Sequence, residues 1–264
     1  MINYTNSVWK SKLKEVKNDY DFIVKPRGME VRERLHGTYT VRMPAYIDLA
    51  SRKVNLSFMF AEAAWIISGS NRLSDVSEYM KAYKNFSDDG VFLKGAYGPK
   101  VIEQLPYVVD SLVNDKDSRQ AVMGIWRERP GPSKDIPCTT NMQFLIRNNK
   151  LYMIVTMRSN DVVLGFTYDV FTFSMVAKSV QLLLREQGID IGLGDLTVNA
   201  GSLHLYETHY GQVDNYIEDG LIDLDISTWV ERLDHVETYE GLISSLKMLA
   251  DLSSRGTSRA NKSL

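Results

Sequence analysis

The sequence predicts an α+β fold in which a β-sheet packs against one long buried helix. Runs of alternating, β-favouring residues are typical of strands, and they occur at 38–43, 143–147 and 151–157. Residues 170–187 are largely apolar over a length that exceeds an ordinary strand, which indicates a central packed helix.

Capping and turn residues mark the ends of several elements. Asn55 can cap a helix over 56–68 that ends at Gly69. Asn148 and Asn149 tolerate the left-handed backbone of a tight turn, so the strands on either side of them are expected to form a hairpin. The other expected elements are helices at 7–17 and 105–114, strands at 196–198 and 202–206, and one or two helices within 227–252.

Length and composition limit the classes of protein that the chain can be. Its 264 residues suffice for one large domain, expected at 1–252, before a polar tail at 253–264 that is expected to be disordered. The 31 Lys plus Arg nearly balance 33 Asp plus Glu, which argues against binding nucleic acid through a broad basic surface. A single cysteine fits a reducing compartment, and no segment is typical of a signal peptide or membrane span, so a cytoplasmic location is expected. The four histidines lack the spacing of a metal site, and none is expected.

Cys138 is the first candidate for a functional residue. It follows Pro137 at the entrance of a predicted strand, which is a plausible place for a nucleophile. If the hairpin forms, Arg158 and Ser159 emerge near the same end of the sheet. Arginines close to a thiol favour the thiolate, whereas a lone cysteine in other surroundings is most often an inert core residue.

Two further sites carry polar side chains with two possible readings. Glu62 lies on an apolar helix and must be either a structural hydrogen-bonding group or an acid/base with a raised pKa. His204 and Tyr206 are two residues apart on a strand, so they share one face and can contact a ligand together. The other reading is that a lone histidine on a strand is usually a structural residue.

These motifs, in their order, resemble the thymidylate synthase superfamily. The resemblance rests on Cys138 after proline, Gln143 five residues on, RSNDVVLG at 158–165, and GD before GSLHLYETH at 194–209. Within the superfamily, the stretch ending at Asp169 is most similar to the phage deoxycytidylate hydroxymethylases. The resemblance implies a thymidylate synthase-like fold with a mixed β-sheet, a homodimer formed through the sheet, and 5,10-methylenetetrahydrofolate as co-substrate. A larger nucleotide-precursor complex is a further possible partner.

The resemblance also implies roles for individual residues. Cys138 would add to C6 of the pyrimidine, with Glu62, Asp169 and Tyr97 as the other catalytic residues. The nucleotide phosphate would be bound by Arg27, Arg158, Ser159 and, from a partner subunit, Arg119. Four residues would complete the nucleotide pocket, with the last two at the sugar hydroxyl: Gln143, Ser202, His204 and Tyr206. The folate would contact Asp161, Glu62, Tyr83 and Phe86, although Tyr83 and Phe86 stand where synthases usually have tryptophan.

Asp169 bears on the choice of base. Synthases have asparagine at this position, and its amide matches the N3–H and O4 of uracil. A carboxyl group instead accepts from N4 of cytosine and can share a proton with N3. A role as a cap of the following helix is the alternative.

Three functions therefore remain open. The first is a deoxycytidylate 5-hydroxymethyltransferase, in which water completes the transfer. The second is the same scaffold with a different outcome, either methyl transfer to dUMP or dCMP or hydroxymethylation of dUMP. The third is a non-catalytic nucleotide-binding protein. The sequence ends in KSL where synthases have an apolar tail that closes over the folate.

Overall fold

The structure is a computed structural model that describes residues 3–126 and 131–260, with the backbone alone for 256–260. Its strands are β1 (Phe22–Val24), β2 (Val31–Arg42), β3 (Val122–Gly124), β4 (Thr139–Arg147), β5 (Lys150–Asp161) and β6 (Gly192–Tyr206). Its helices are α1 (Tyr4–Asn18), α2 (Leu56–Ile67), α3 (Ser74–Ser77), α4 (Gly98–Asn114), α5 (Leu164–Glu186), α6 (Val213–Glu218), α7 (Leu224–Glu231) and α8 (Tyr239–Ala260).

The strands form one sheet of order β1-β2-β6-β5-β4-β3. The β5–β6 pair is parallel and the other pairs are antiparallel, so the predicted mixed sheet is confirmed. The predicted hairpin is β4–β5, in which Arg147 pairs with Lys150. Asn148 and Asn149 have φ of 48° and 58° in its turn, as expected of asparagine.

Two adjacent strands, β5 and β6, change the side that faces the core at one level of the sheet. In β5 the buried positions pass from odd to even numbers around Arg158, and in β6 they pass from even to odd around Gly201. In β2, His36 has φ 54°, and the ladder pairs on either side of it, Leu35 with Ser202 and Gly37 with Ala200, keep the same register. A Cβ on Gly37 would lie 2.4 Å from the Cβ of Leu203, so the close packing here requires glycine. This change of side determines which residues at the ends of β5 and β6 face the core.

Helix α5 is the long buried helix that the sequence predicts, and it packs beside α2. It begins at Leu164 rather than at 170, because Asp161 Oδ1 accepts the backbone N–H groups of Val163 and Leu164. Helix α2 begins where expected, with the Asn55 side chain accepting from the N–H of Phe58 at 3.1 Å.

Other predicted boundaries shift outwards. Helix α4 begins at Gly98 instead of 105, with Pro99 in its first turn where proline is tolerated. The strands predicted at 196–198 and 202–206 form one continuous β6, because residues between them pair with both neighbouring strands. Helix α8 continues to Ala260, so it enters the segment 253–264, whose expected disorder stays a prediction, and 261–264 lie outside the described residues. Among the described helices, none combines the length and apolarity required to cross a bilayer.

Candidate active site

Cys138 lies immediately before β4, half-buried, at the end of the sheet where β5 turns. Its carbonyl accepts the N–H of Arg158 at 2.8 Å, and its Sγ lies 3.8 Å from the Ser159 Oγ that donates to it. The hairpin therefore places Arg158 and Ser159 beside the cysteine, in the arrangement that the sequence predicts.

The side chain of Arg158 holds the segment that carries the thiol. Its Nε and one terminal nitrogen donate to the carbonyls of Pro137 and Ile136, both at 3.0 Å, and the other terminal nitrogen donates to Ser159 Oγ at 2.9 Å. A guanidinium has five N–H donors, and the described residues accept from three of them. Two donors are therefore available to a ligand. The side chain is exposed, and it can therefore fix the Cys138 loop and bind an anion at the same time.

The pKa of the Cys138 thiol is raised, which corrects the expectation that nearby arginines shift it towards the thiolate. Burial is the largest cause, and the negative charge of Asp169 acts in the same direction. Arg158, the Ser159 hydroxyl and, most weakly, Arg27 lower the thiol pKa, but they do not outweigh the loss of hydration. In the free protein the sulfur thus holds its proton.

Glu62 combines the two roles that the sequence left open. It accepts a short hydrogen bond from the Tyr83 hydroxyl and a longer one, at 3.5 Å, from Thr172. Burial raises the pKa of Glu62 to about 7, although both hydrogen bonds act to lower it. A carboxyl group with this pKa can both give and take a proton near neutral pH.

Asp169 is the sixth residue of α5, so it does not cap that helix. Its Oδ2 accepts from Asn160 Nδ2 at 2.7 Å. Burial raises the pKa of Asp169 well above its ordinary value, the charges of Glu62 and Asp161 raise it further, and the Asn160 hydrogen bond lowers it. The carboxyl group therefore favours its protonated form, while the side chain remains partly exposed.

Tyr97 completes the group around the thiol. Its hydroxyl accepts the backbone N–H of Thr139 at 3.2 Å, next to the cysteine. Burial raises the pKa of Tyr97, and the charges of Cys138 and Asp169 add to that effect. The structure thus brings four predicted catalytic residues into one electrostatic group, although they come from α2, α4, α5 and the entrance of β4.

His204 and Tyr206 lie on one face of β6, with ring centroids 5.1 Å apart. Burial lowers the pKa of His204, which favours the neutral imidazole, although Asp161 and Glu33 act in the opposite direction. Ser202 donates to Glu33 Oε1 at 2.6 Å, so its hydroxyl proton is already engaged. Sequence analysis missed Glu33, and only the pairing of Glu33 with His204 across β2 and β6 reveals it.

Three predicted residues are not brought to Cys138 within one chain. Gln143 donates to the carbonyl of Arg119 at 3.0 Å, and it lies five residues along β4 from the cysteine, about 16 Å at the usual strand rise. Arg119 is exposed and lines a separate surface cleft, together with Tyr107, Asp110, Ser111, Asn114, Asp115, Asp117, Ser118 and Gln120. Phe86 is exposed, with its ring 6.1 Å from that of Tyr83.

Part of the site offers polar groups that the protein itself does not satisfy. Trp65 Nε1 is buried without a hydrogen-bond partner among the described residues, and its ring lies 6.1 Å from that of Tyr83. Asp161 uses only Oδ1 in its hydrogen bonds to the start of α5, which leaves Oδ2 as an acceptor. The Trp65 N–H beside the Tyr83 ring, and separately the Asp161 carboxylate, are groups that can bind a flat heterocycle with N–H groups, such as a pterin.

Comparisons with known proteins agree with this geometry. The family model described as thymidylate synthase matches residues 30–239. The deoxyuridylate hydroxymethyltransferase of Bacillus phage SP01 is 29% identical over 213 residues, which covers 72% of this chain and 54% of the relative. The deoxyuridylate hydroxymethyltransferase of Delftia phage PhiW-14 is 29% identical over 188 residues, covering 65% and 51%. The chain therefore spans about half the length of these curated relatives.

The fold is also that of a solved structure. The thermostable thymidylate synthase A of Bacillus subtilis superimposes with a TM-score of 0.67 at 20% identity, covering 81% of this chain and 84% of that one. This match confirms the thymidylate synthase-like fold that the sequence motifs predict. Because the family model covers most of the sequence, including every candidate site residue except Arg27, the chain belongs to the thymidylate synthase family.

Proposed function

We propose that this chain is a deoxycytidylate 5-hydroxymethyltransferase. It would join the one-carbon unit of 5,10-methylenetetrahydrofolate to C5 of dCMP, with water completing the hydroxymethyl group. The observation that carries the proposal is the carboxyl group of Asp169, whose pKa is raised well above its ordinary value within the electrostatic group around Cys138.

Cytosine requires a partner that donates at N3 and accepts at N4. A protonated carboxyl group meets both requirements, because one oxygen carries the proton and the other accepts. Sharing that proton with N3 also draws electrons from the ring and makes C6 more electrophilic. An ionised carboxylate facing O4 of uracil would leave buried acceptors unpaired, at a cost of roughly 1–3 kcal/mol. The protonated carboxyl group disfavours uracil only when its proton is held on the oxygen that faces N3.

Cys138 is the nucleophile of the proposal. After loss of its proton, the sulfur would add to C6, and the π electrons of the C5–C6 bond would make C5 nucleophilic. Once C5 carries the one-carbon unit, it would lose its proton and tetrahydrofolate would leave. Addition of water and release of the sulfur from C6 would then complete the transfer. Burial holds the proton on the sulfur in the free protein, so the thiolate must form in the complex. A protonated Asp169 does not oppose this step, because the negative charge that raises the thiol pKa is then absent.

The nucleotide phosphate and the sugar would be bound by two different sets of residues near the Cys138 sulfur. Arg27, Ser159 and the two remaining N–H donors of Arg158 are suited to a phosphate dianion. His204 and Tyr206 would contact the sugar hydroxyl, and Ser202 would support them through Glu33.

Glu62 and Tyr83 form the proton-transfer pair of the proposal, and Tyr97 acts at the pyrimidine ring next to the sulfur. The folate would be held by Asp161, Tyr83, Phe86 and the unpartnered N–H of Trp65. Bound there, it supplies the one-carbon unit that becomes attached to C5.

The proposed enzyme is a homodimer. Along β4 and β5, apolar side chains that alternate with the buried ones are partly exposed, namely Leu145, Tyr152 and Ile154. A second copy packed on this face would cover them. It would also give Arg119 a role at the phosphate of the partner's site.

Hydroxymethylation of dUMP is the second candidate, because two similar phage proteins are named deoxyuridylate hydroxymethyltransferases. The test is product mass spectrometry after incubation of the enzyme and methylenetetrahydrofolate with dCMP or dUMP. We expect a product from dCMP that is heavier by one hydroxymethyl group in place of hydrogen. Turnover of dUMP alone would favour the second candidate, a methyl product would indicate a synthase outcome, and no product from either nucleotide would favour a non-catalytic binder.

A further inference from the structure

Asp169 ends a chain of two hydrogen bonds that runs through the core. The Tyr39 hydroxyl donates to Asn160 Oδ1 at 3.0 Å, and Asn160 Nδ2 donates to Asp169 Oδ2 at 2.7 Å. Tyr39 and Asn160 are only 3% and 2% exposed, so water does not compete for either bond. With the Tyr39 hydroxyl as the donor, the Asn160 amide oxygen faces the tyrosine and its Nδ2 faces the carboxyl group.

Helix α5 approaches this pair closely because of Gly165. A Cβ at that position would lie 3.1 Å from Asn160 Nδ2 and 3.2 Å from Asp169 Oδ2. Glycine leaves room for the two side chains to meet directly across the start of the helix. The contact is thus built by three elements, β2, β5 and α5.

A protonated carboxyl group does not by itself distinguish cytosine from uracil. With the proton on the oxygen that faces N3, it matches cytosine, since the other oxygen accepts from N4. With the proton on the oxygen that faces the C4 substituent, it matches uracil, since the first oxygen then accepts the N3–H. The carboxyl group distinguishes cytosine from uracil only if a neighbouring group determines which of its two oxygens carries the proton.

We propose that Asn160 is a specificity-determining positioning residue: by donating to Oδ2 of Asp169, it confines the acid proton to Oδ1, and Oδ2 is the oxygen that meets the C4 substituent of the base. Oδ1–H then donates to N3, and Oδ2 accepts from both Asn160 and the amino group at C4. Uracil would require the proton on Oδ2, in competition with the Asn160 donor. The inference rests on the proposed function and extends it to a residue that does not touch the base.

The test compares the ratio of kcat/KM for dCMP to kcat/KM for dUMP in four purified proteins. They are the unsubstituted chain, Asn160→Leu, Tyr39→Phe and Asn6→Leu. The last is a matched control, because Asn6 is also a buried asparagine whose amide donates to a buried aspartate, Asp48, far along the chain. Both substrates are measured on the same preparation, so loss of folded protein cancels from the ratio.

We expect the unsubstituted chain to prefer dCMP and Asn160→Leu to lower its ratio about tenfold or more, the effect of losing one hydrogen bond to a buried carboxyl group. Tyr39→Phe should lower the ratio in the same direction by roughly threefold, because the amide keeps its donor but is free to turn. Asn6→Leu should leave the ratio unchanged even where it lowers the melting temperature.

An unchanged ratio in both Asn160→Leu and Tyr39→Phe would overturn the inference while leaving the proposed function intact. An equal drop in Asn6→Leu would overturn it as well, since a general loss of stability would then explain the change. If the unsubstituted chain turns over dUMP alone, the proposed function itself fails. If Asn160→Leu does not fold, Tyr39→Phe decides.

Discussion

Replacement of Asp169 by asparagine gives a sharp prediction, because it would separate the two proposed roles of this residue, recognition of the base and its activation. The new amide must turn its oxygen towards Asn160 Nδ2, which donates to Oδ2 at 2.7 Å in the unsubstituted protein. Its NH2 group then occupies the Oδ1 position, where it can still donate to N3 of cytosine. Recognition is retained, but the transferable proton is lost.

The expected result is a fall in kcat for dCMP of about 100-fold or more, the range for loss of a positioned general acid, with a much smaller change in KM. The variant should not gain efficient turnover of dUMP. Binding of uracil requires the opposite orientation of the new amide. In that orientation its NH2 group faces the NH2 group of Asn160, at a cost of roughly 1–3 kcal/mol.

Tritium release from C5-labelled dCMP and dUMP measures both activities. Combining Asp169→Asn with Asn160→Leu should raise kcat/KM for dUMP above that of either single variant, because the opposing donor is gone. The reasoning is refuted if Asp169→Asn alone turns over dUMP as well as the unsubstituted protein turns over dCMP.

Three further predictions concern the groups around the sulfur. Because burial raises the pKa of Glu62 to about 7, the folded state binds a proton that the unfolded state releases near its ordinary pKa, so stability should fall as pH rises from about 4.5 to 7. Glu62→Gln should therefore flatten the pH profile of thermal unfolding, and an unchanged profile would contradict the raised pKa. Arg158→Lys should lower kcat/KM about 100-fold, since lysine cannot bridge the carbonyls of the Cys138 loop and a phosphate together, whereas Arg185→Lys, on an exposed pair with Asp190, should not. Finally, Cys138→Ser and Arg119→Ala chains should each be inactive alone but regain activity when mixed and refolded, and mixtures without activity would argue against a shared phosphate site.

Much of this site could be predicted from the sequence because its signals are local. A proline and the start of a strand place Cys138, and two asparagines with left-handed backbone close the hairpin that brings Arg158 and Ser159 to it. These features depend on residues within a few positions of one another, where propensities for turns and caps act.

The missed features depend on residues that meet only in the folded chain. Tyr39 and Asn160 are 121 positions apart, and Glu33 reaches Ser202 only because β2 pairs with β6. The thiol pKa was predicted in the wrong direction for the same reason. Residue types indicate which charges can approach Cys138, but the loss of hydration that outweighs them is a property of packing.

The sequence by itself determined the family motifs and indicated Cys138 as the candidate nucleophile and Asp169 as the candidate base-reading residue. Only the tertiary structure decided that Asp169 favours its proton and which of its oxygens is engaged by Asn160. The physical reason is that a side chain's identity supplies its functional group, whereas its protonation state follows from burial and from neighbours on other elements.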